Sequence, residues 1–325
     1  MPAPIPVASA LSYLGIAKET TKGTAVAATN YLPVLTITPQ DKVTYLPDKS
    51  MRGSMVEMYD DVLGVTASDF GYGGPVYGDS VGWALAGVTG DVVTGAVVSG
   101  VSPHVMSVKN NGQPSAYTLA DYYGLTQARA YAGQQFSEVA LKYNADTLFT
   151  YTAKSSGWAS TLVTKPTAAF TAVQAAPTWA ATATIAGSAS LLVETAEITL
   201  KRPVSIIHTA ANTQLPQAAF SGPLSVAGKM TLLMPDDAEL NRYLNGTQTV
   251  VVLDFTTGTA GTLIDVKVQM SKVQYVLGTV NRGKDFVQVD VTFDALANVT
   301  DVGATGGYSP ALVTVKNLLP TGTYV

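Results

Sequence analysis

The strongest constraint on the fold is a repeated alternation of apolar and polar residues. Three segments show it clearly, at 139–143, 264–270 and 287–293. Side chains along a strand point alternately to opposite faces, so each segment predicts a strand with one buried and one exposed face. The Asn111-Gly112 dipeptide predicts a hairpin turn. We therefore expect a mainly β fold.

Only two segments have the pattern of a helix. Residues 236–246 begin with two aspartates, end at a glycine, and carry Leu240, Tyr243 and Leu244 on one stripe. Residues 79–90 begin with Asp79-Ser80 and also end among glycines. We expect short helices near 80–88 and 236–245. A parallel α/β fold is excluded because it needs a helix between most of its strands.

The order of these segments suggests an internal repeat. The second expected helix follows the first by about 155 residues, and similar strand-like segments follow each. The sequence thus predicts a first β domain at 1–160 and a second at 194–325. The Ala/Thr-rich segment 161–193 would be a linker or an outward hairpin. A second interpretation remains open, in which the chain is not duplicated, because any β-rich chain can show a similar order of segments.

The composition indicates a chain that hides surface in an assembly. Charged residues make up 13% of the sequence and hydrophobic residues 47%, whereas about 25% charged residues is usual. So few charges would leave a monomer with large apolar patches. The net charge of −4 argues against a nucleic-acid-binding patch. No apolar run approaches the ~20 residues of a membrane span, so we expect no membrane partner.

The sequence offers little for catalysis. It contains no cysteine and two histidines, which excludes thiolate chemistry and histidine-rich metal sites. Residues 78–82 match G-x-S-x-G, with Ser80 as nucleophile and His208 as its partner. The alternative is that Asp79 or Ser80 caps the following helix. We favour the alternative, and predict no catalytic, cofactor or metal site and no enzymatic activity.

The segment 14–34, LGIAKETTKGTAVAATNYLPV, resembles the opening of bacteriophage tail tube proteins, the major tail proteins of long-tailed phages. The matching positions are Gly15, Lys18, Glu19, Thr20, Gly23, Thr24, Ala25 and Pro33. Segments 52–54, 115–124, 129–133 and 308–317 are similar to that family as well. The resemblance covers most of the chain and is weakest at 166–193.

The resemblance implies a tail-tube-type β-sandwich or barrel with short flanking helices, which the internal repeat would duplicate in tandem. Copies of such proteins form rings that stack into a hollow tube, through which double-stranded DNA passes during ejection without specific binding. The family usually builds six tube domains per ring, so three chains would suffice if the chain is duplicated and six if it is not. Implied partners are the tape-measure, tail-terminator and distal-tail proteins. The implied location is the virion tail, after synthesis in the host cytoplasm.

Two sets of residues are candidates for these contacts. DNA slides past a wall that does not bind phosphate, and a neutral or acidic polar strand face meets that requirement. The candidate lumen residues are Asp265, Lys267, Gln269, Gln288 and Asp290. The long segment 38–58 is a candidate ring-stacking loop, with Lys42, Tyr45, Lys49, Arg52 and Glu57 as its contact residues.

Two other functions are compatible with the same composition. A capsid or baseplate decoration protein is also β-rich and bound in an assembly. A secreted carbohydrate-binding β-protein would instead need an aromatic platform or an acid pair in one cleft.

Overall fold

A computed structural model describes residues 6–257, 264–320 and 322–324. Within them the chain forms twenty strands, two α-helices and two single-turn 3-10 helices, the latter at Ser9–Leu11 and Thr178–Ala180. The prediction of a mainly β fold with short flanking helices is therefore confirmed.

The strands follow one another in two series. The first series is β1 (Tyr13–Lys18), β2 (Asn30–Leu32), β3 (Thr36–Asp48), β4 (Asp60–Pro75), β5 (Gly90–Thr94), β6 (Ser102–Val108), β7 (Tyr117–Tyr122), β8 (Gln127–Asn144), β9 (Thr150–Gly157) and β10 (Thr161–Thr164). The second is β11 (Ala181–Ile185), β12 (Ser188–Ser190), β13 (Val193–Lys201), β14 (Val204–Ile207), β15 (Ala218–Ser221), β16 (Ser225–Leu233), β17 (Thr249–Thr257), β18 (Ile264–Asn281), β19 (Gln288–Ala295) and β20 (Leu312–Asn317). Helix α1 spans Val81–Thr89 and α2 spans Ala238–Leu244.

Eight strands form one continuous antiparallel sheet in the order β3-β4-β9-β8-β13-β16-β19-β18. Two further sheets pair with the other ends of the long strands. One has the order β2-β1-β7-β8-β10 and the other β12-β11-β17-β18-β20-β6-β5. The 18-residue strands β8 and β18 therefore each belong to two sheets.

The two series repeat the same strand pairings. In the first half these are β1–β2, β1–β7, β3–β4, β4–β9, β7–β8, β8–β9 and β8–β10. In the second half they are β11–β12, β11–β17, β13–β16, β16–β19, β17–β18, β18–β19 and β18–β20. Bulges between Phe136/Glu138 and between Tyr275/Leu277 also occupy matching positions. Each half therefore has the same topology, although their sequences differ.

Helix α1 packs inside the fold because its residues are apolar or small, whereas α2 has no fully buried residue and lies on the surface. Every residue of α1 is buried, and its Gly87 lies so close to the Phe136 ring of β8 that a Cβ there would stand 2.2 Å from the ring. The helix ends at Gly90, which takes the left-handed conformation that glycine adopts at low cost. In the second half, Tyr243 of α2 lies against Gly278 of β18 in the same way.

A single hydrophobic core runs through both halves. Phe149 of the first half stacks on Phe255 of the second, with ring centroids 3.6 Å apart and planes 12° apart. Both rings are buried. The halves are thus joined by packing as well as by the continuous sheet.

The structure defines how two connecting segments join the strands. The expected hairpin at Asn111-Gly112 is wrong, because β6 pairs with β5 and β20 whereas β7 pairs with β1 and β8. Segment 161–193 contributes β10 to the first half and the β11–β12 hairpin to the second. Its middle part is anchored by Phe170, whose ring packs edge-on against Tyr13.

We predict that Phe255→Ala lowers the free energy of unfolding by about 3–5 kcal/mol, because it leaves a cavity at the contact between the halves. Chemical denaturation of the wild type and the variant measures this change. Phe220→Ala is the control, since that ring is 51% exposed. Equal losses in the two variants would contradict a shared core.

Candidate assembly surfaces

One face of the eight-stranded sheet is polar from edge to edge. The alternation in β8 buries Val139 and Leu141 and places Glu138 and Lys142 on the opposite face. In β13 the same alternation buries Ile198 and Leu200 and leaves Glu197 on that face. We call this surface the polar face; it carries Lys42, Asp69, Glu138, Lys142, Lys154, Glu197, Lys201, Lys229, Thr231 and Asp290.

Cross-strand ion pairs link the strands of this face around two glutamates. The Glu138 carboxylate of β8 lies 2.7 Å from the Lys154 ammonium of β9 and 4.0 Å from the Lys201 ammonium of β13. Glu197 of β13 lies 3.5 Å from Lys142 of β8 and 3.1 Å from Lys229 of β16. Both glutamates thus bridge two strands, and each spans the joint between the halves.

The polar network continues to both ends of the sheet. In the first half, Lys42 of β3 pairs with Asp69 of β4, which also accepts a 2.8 Å hydrogen bond from Ser156 of β9. In the second half, Asp290 of β19 accepts hydrogen bonds from Thr231 of β16 at 2.8 Å and from Asn281 of β18 at 3.0 Å.

These ion pairs offset part of the lysines' charge and contribute little to the stability of the fold. The lysine side chains are 51–70% exposed, and exposed ion pairs contribute at most about 1 kcal/mol each. Every lysine ammonium of the polar face nevertheless lies beside a carboxylate. The face as defined carries five lysines and four carboxylates, so a phosphate at this surface would meet ammonium groups that already lie beside carboxylates.

The structure does not bring the five candidate lumen residues together. Asp290 lies on the polar face, and Gln288 beside it is buried and donates to Glu194. Asp265, Lys267 and Gln269 lie on the first part of β18, which pairs with β17 and β20 instead. Along β18, the pairing changes from β17 to β19 and two bulges occur, which separates Asp265, Lys267 and Gln269 from the residues beside β19.

Asp265 occupies a nearly closed environment. Its side chain is 5% exposed and its Oδ2 lies 2.9 Å from the Lys316 ammonium. Among the described residues its Oδ1 has no hydrogen-bond partner. Burial, followed by the neighbouring Asp254 carboxyl, raises the pKa of Asp265 from 3.8 to about 6.

A second surface is the outer part of the β3–β4 hairpin, residues 42–66, which we call the arm. The inner part of β4 pairs with β9 from Ser68 to Pro75, whereas residues 60–67 pair only with β3 among the described strands. Apolar side chains lie exposed along the arm, including Tyr45 at 57% and Leu63 at 54%, and Met51 and Met55 at its tip are fully exposed. A two-stranded ribbon is marginal by itself, so the arm is suited to contact with another molecule.

The structure places the candidate stacking residues along this arm. Lys42 lies at its base, paired with Asp69, and Tyr45 lies midway. Near the tip, Lys49 pairs with Glu57 at 2.7 Å. Arg52 pairs with Asp48, and its guanidinium lies 4.8 Å from the centre of the Tyr59 ring. The charges near the tip thus pair with one another, while Asp60 and Asp61 and the apolar side chains of the arm remain exposed.

The second half has a different feature at the equivalent place in its topology. Between β13 and β16, the β14–β15 hairpin folds back onto the base of the arm. There the Thr66 backbone N–H donates to the Gln214 carbonyl at 2.9 Å, and the Thr66 carbonyl accepts from the His208 ring at 3.0 Å. Buried Arg202 fixes this hairpin by donating to Gly222 and to Val88 at the end of α1. One hairpin is thus held within the chain, and its counterpart projects.

The structure also locates the G-x-S-x-G match. Ser80 precedes α1 and is 3% exposed, and its hydroxyl lies 3.4 Å from Asp79. It makes no side-chain capping hydrogen bond. His208 bonds to Thr66, as described above, rather than to Ser80. In the described part of the chain no cluster of three or more His, Asp or Glu residues could hold a metal ion.

A family model described as phage tail tube protein matches residues 9–295. The chain belongs to the phage tail tube protein family. A comparison with curated proteins finds no match. Because of its family, this tail tube protein is a structural component of a bacteriophage tail, and the family implies self-assembly into the tube. The family match favours the tail tube over the decoration and carbohydrate-binding alternatives. No helix among the described residues is long and apolar enough to span a membrane.

Of the charged residues on the polar face, the sequence alone singles out only Lys42 and Asp290. Glu138 and Lys142 lie in a segment whose alternation was recognised, but their partners are far away in the chain, at 197 and 201. The available signal is a glutamate followed four residues later by a lysine on the exposed face of a strand, at 138 and 142 and again at 197 and 201. Only the strand register shows which charges meet.

We predict that Asp265→Asn changes the pH dependence of stability. The folded-state pKa lies above the unfolded one, so the folded wild type binds more protons between about pH 4 and 6 and loses stability as pH rises through that window. The free energy of unfolding of the variant should therefore rise relative to wild type over the same window. Denaturant titrations at several pH values measure it, with exposed Asp285→Asn as control. A difference independent of pH would contradict this assignment.

Proposed function

We propose that three chains form a closed ring of the tail tube, and that the stacked rings conduct double-stranded DNA during ejection. The repeated topology supports this stoichiometry, because three chains supply six equivalent halves. The family resemblance implies that number of tube domains in a ring.

The width of the sheet favours three chains over six. Each chain contributes eight strands to the continuous sheet. With strands ~4.8 Å apart, three chains give a wall ~115 Å around and ~37 Å across, measured through the strands. A strand tilt of ~40° widens it to ~48 Å. Six chains would double these values and leave a channel far wider than a double helix.

The observation that carries the proposal is that every lysine of the polar face lies beside a carboxylate. DNA binds tightly to surfaces where lysines or arginines replace its counterions. A wall whose lysines are already paired with glutamates and aspartates offers little such exchange. We therefore assign the polar face, with Asp290 and its neighbours, to the lumen, and the two smaller sheets to the outside. Asp265, Lys267 and Gln269 lie on the first part of β18, in one of those smaller sheets.

The arm serves to stack one ring on the next. Its exposed apolar tip and paired charges suit burial against another copy better than exposure to water. At the ends of the tube, the tail-terminator and distal-tail proteins would meet the same surfaces, and the tape-measure protein would occupy the lumen before DNA. The chain is made in the host cytoplasm and ends in the virion tail.

Electron microscopy of the purified protein tests the assembly. We expect hollow tubes or rings with three-fold symmetry, a pseudo-six-fold outline, and an inner wall of about the width given above. Strict six-fold rings would contradict the three-chain stoichiometry, and compact single particles at high protein concentration would contradict the tube itself.

We predict that Glu138→Gln with Glu197→Gln slows DNA ejection and leaves tubes intact. The change is nearly isosteric and leaves Lys142, Lys154, Lys201 and Lys229 without their partners, so the wall becomes positive and retains DNA. Ejection kinetics from phage carrying the variant measure it, and higher salt should reduce the effect.

The matched control is Asp237→Asn with Asp285→Asn, which removes the same charge from exposed positions away from the polar face. We expect its ejection rate to equal that of wild type. Equal slowing in both variants would indicate an effect of net charge and would contradict the lumen assignment.

We predict that Met51→Asp with Met55→Asp prevents stacking and leaves single rings. Both side chains are fully exposed in the chain, so the thermal stability of the subunit should not change. Particle length in micrographs reports the effect, and Met51→Leu with Met55→Leu is the apolar control. Long tubes from the aspartate variant would rule out the arm tip as a stacking contact.

A further inference from the structure

The pairing of β8 with β13 joins the two halves of the chain. It runs antiparallel from Glu138 opposite Lys201 to Asn144 opposite Thr195. Within the repeat, β8 belongs to the first half and β13 to the second. The pairing is therefore a half-to-half interface that happens to lie within one chain.

The repeat has counterparts of both strands, and their corresponding edges are open. The counterpart of β13 is β3, which pairs only with β4 among the described strands. The counterpart of the second part of β8 is the second part of β18, which from Leu277 to Asn281 pairs only with β19 among them. These edges stand at opposite ends of the eight-stranded sheet.

The register of the internal joint can be transferred residue by residue. In the first half, Phe136 pairs with Ser155, Ser155 with Phe70, and Phe70 with Pro39. In the second half, Tyr275 pairs with Phe293, Phe293 with Gly228, and Gly228 with Ile198. Pro39 is therefore the counterpart of Ile198.

The other partner follows from the matching bulges. Phe136 and Tyr275 each precede a bulge on their strand, so Leu141, five residues after Phe136, corresponds to Val280. Ile198 pairs with Leu141 inside the chain. The corresponding pair between chains is Pro39 opposite Val280.

We propose that β3 of one chain pairs antiparallel with the second part of β18 of the next chain, with Pro39 opposite Val280, Gln40 opposite Thr279, and Thr38 opposite Asn281. The partner is a second copy of this chain, bound head to tail. This pairing deepens the proposed ring, because it names the contact that closes it. A head-to-tail contact closes into a ring when its rotation returns to the start.

The chemistry of the two edges fits this pairing. Thr38, Gln40 and Thr279 are exposed, and the facing pairs contain no like charges. Pro39 lacks an N–H and cannot donate a backbone hydrogen bond to the next chain, so the neighbouring residues of β3 must supply the donors of this contact. The polar face would continue across the contact, with Lys42 opposite Leu277.

The contact between chains also differs from the internal joint in its number of charged residues. Two glutamates with four lysines reinforce the internal joint, whereas their counterparts at the open edges are mostly uncharged. The internal joint is permanent, because one chain carries both strands. The proposed contact forms only on assembly, because its two strands come from different chains.

Cysteine cross-linking tests the proposal directly, because the protein has no cysteine. Gln40→Cys with Thr279→Cys in one chain should form disulfides between chains on oxidation of the assembled protein. Denaturing electrophoresis should show a ladder that ends at three chains. A mixture of the two single-cysteine variants should give only a two-chain product.

Two matched controls test whether the cysteine pair can form a disulfide at this geometry and whether the cross-link depends on the register. Ala140→Cys with Thr199→Cys places the same pair at the internal joint and should form a disulfide within one chain. Thr36→Cys with Thr279→Cys shifts the register by four residues, or ~13 Å, beyond the reach of a disulfide. It should give no product between chains.

The outcomes separate this pairing from the proposed function. Tubes in micrographs without the 40–279 cross-link, or with an equal 36–279 cross-link, would overturn the pairing and leave the tube standing. Absence of both tubes and cross-link would overturn both. A ladder that ends at six chains would support the pairing and overturn the three-chain ring. Should the double variant fail to fold, the mixed single variants decide in the same way.

Discussion

Seven consecutive backbone pairs between β8 and β13 determine most of what this molecule presents to its surroundings. They convert two four-stranded sheets into one sheet of eight strands. They also bring together Glu138 with Lys201 and Glu197 with Lys142, which are distant in the chain. Without this joint there would be two separate polar strips in place of a continuous face. The core shared through Phe149 and Phe255 depends on the same alignment.

Much of the fold could be predicted from local pattern. Alternation in 139–143, 264–270 and 287–293 marks strands because burial on one face imposes a period of two, and that signal lies within a few residues. Pairing partners carry no such local signal. Asn111-Gly112 has turn chemistry, yet the strands on either side pair elsewhere, because distant strands β20 and β1 occupy the edges. Local propensity decides that a strand exists, and tertiary packing decides its neighbour.

The candidate site was predictable in kind and less so in detail. The sequence predicts that polar residues of β18 and β19 share one surface, and of these Asp290 lies on the polar face. Asp265 lies on another part of β18 and is nearly closed off by Lys316. Two bulges on β18 change which side its residues face, and both lie beyond the segment 264–270 whose alternation predicts the strand. The segment 38–58 stands out in the sequence by its length and its methionines, but it predicts a loop, whereas the residues up to Asp48 belong to strand β3.

The long strands β8 and β18 have a mechanical consequence. Each runs from the eight-stranded sheet into one of the smaller sheets without a break in the chain. A force that pushes on one layer is therefore carried into the other by covalent backbone, and the layers cannot shear past one another without breaking hydrogen bonds along a whole strand. A thin wall built in this way resists both internal pressure and bending.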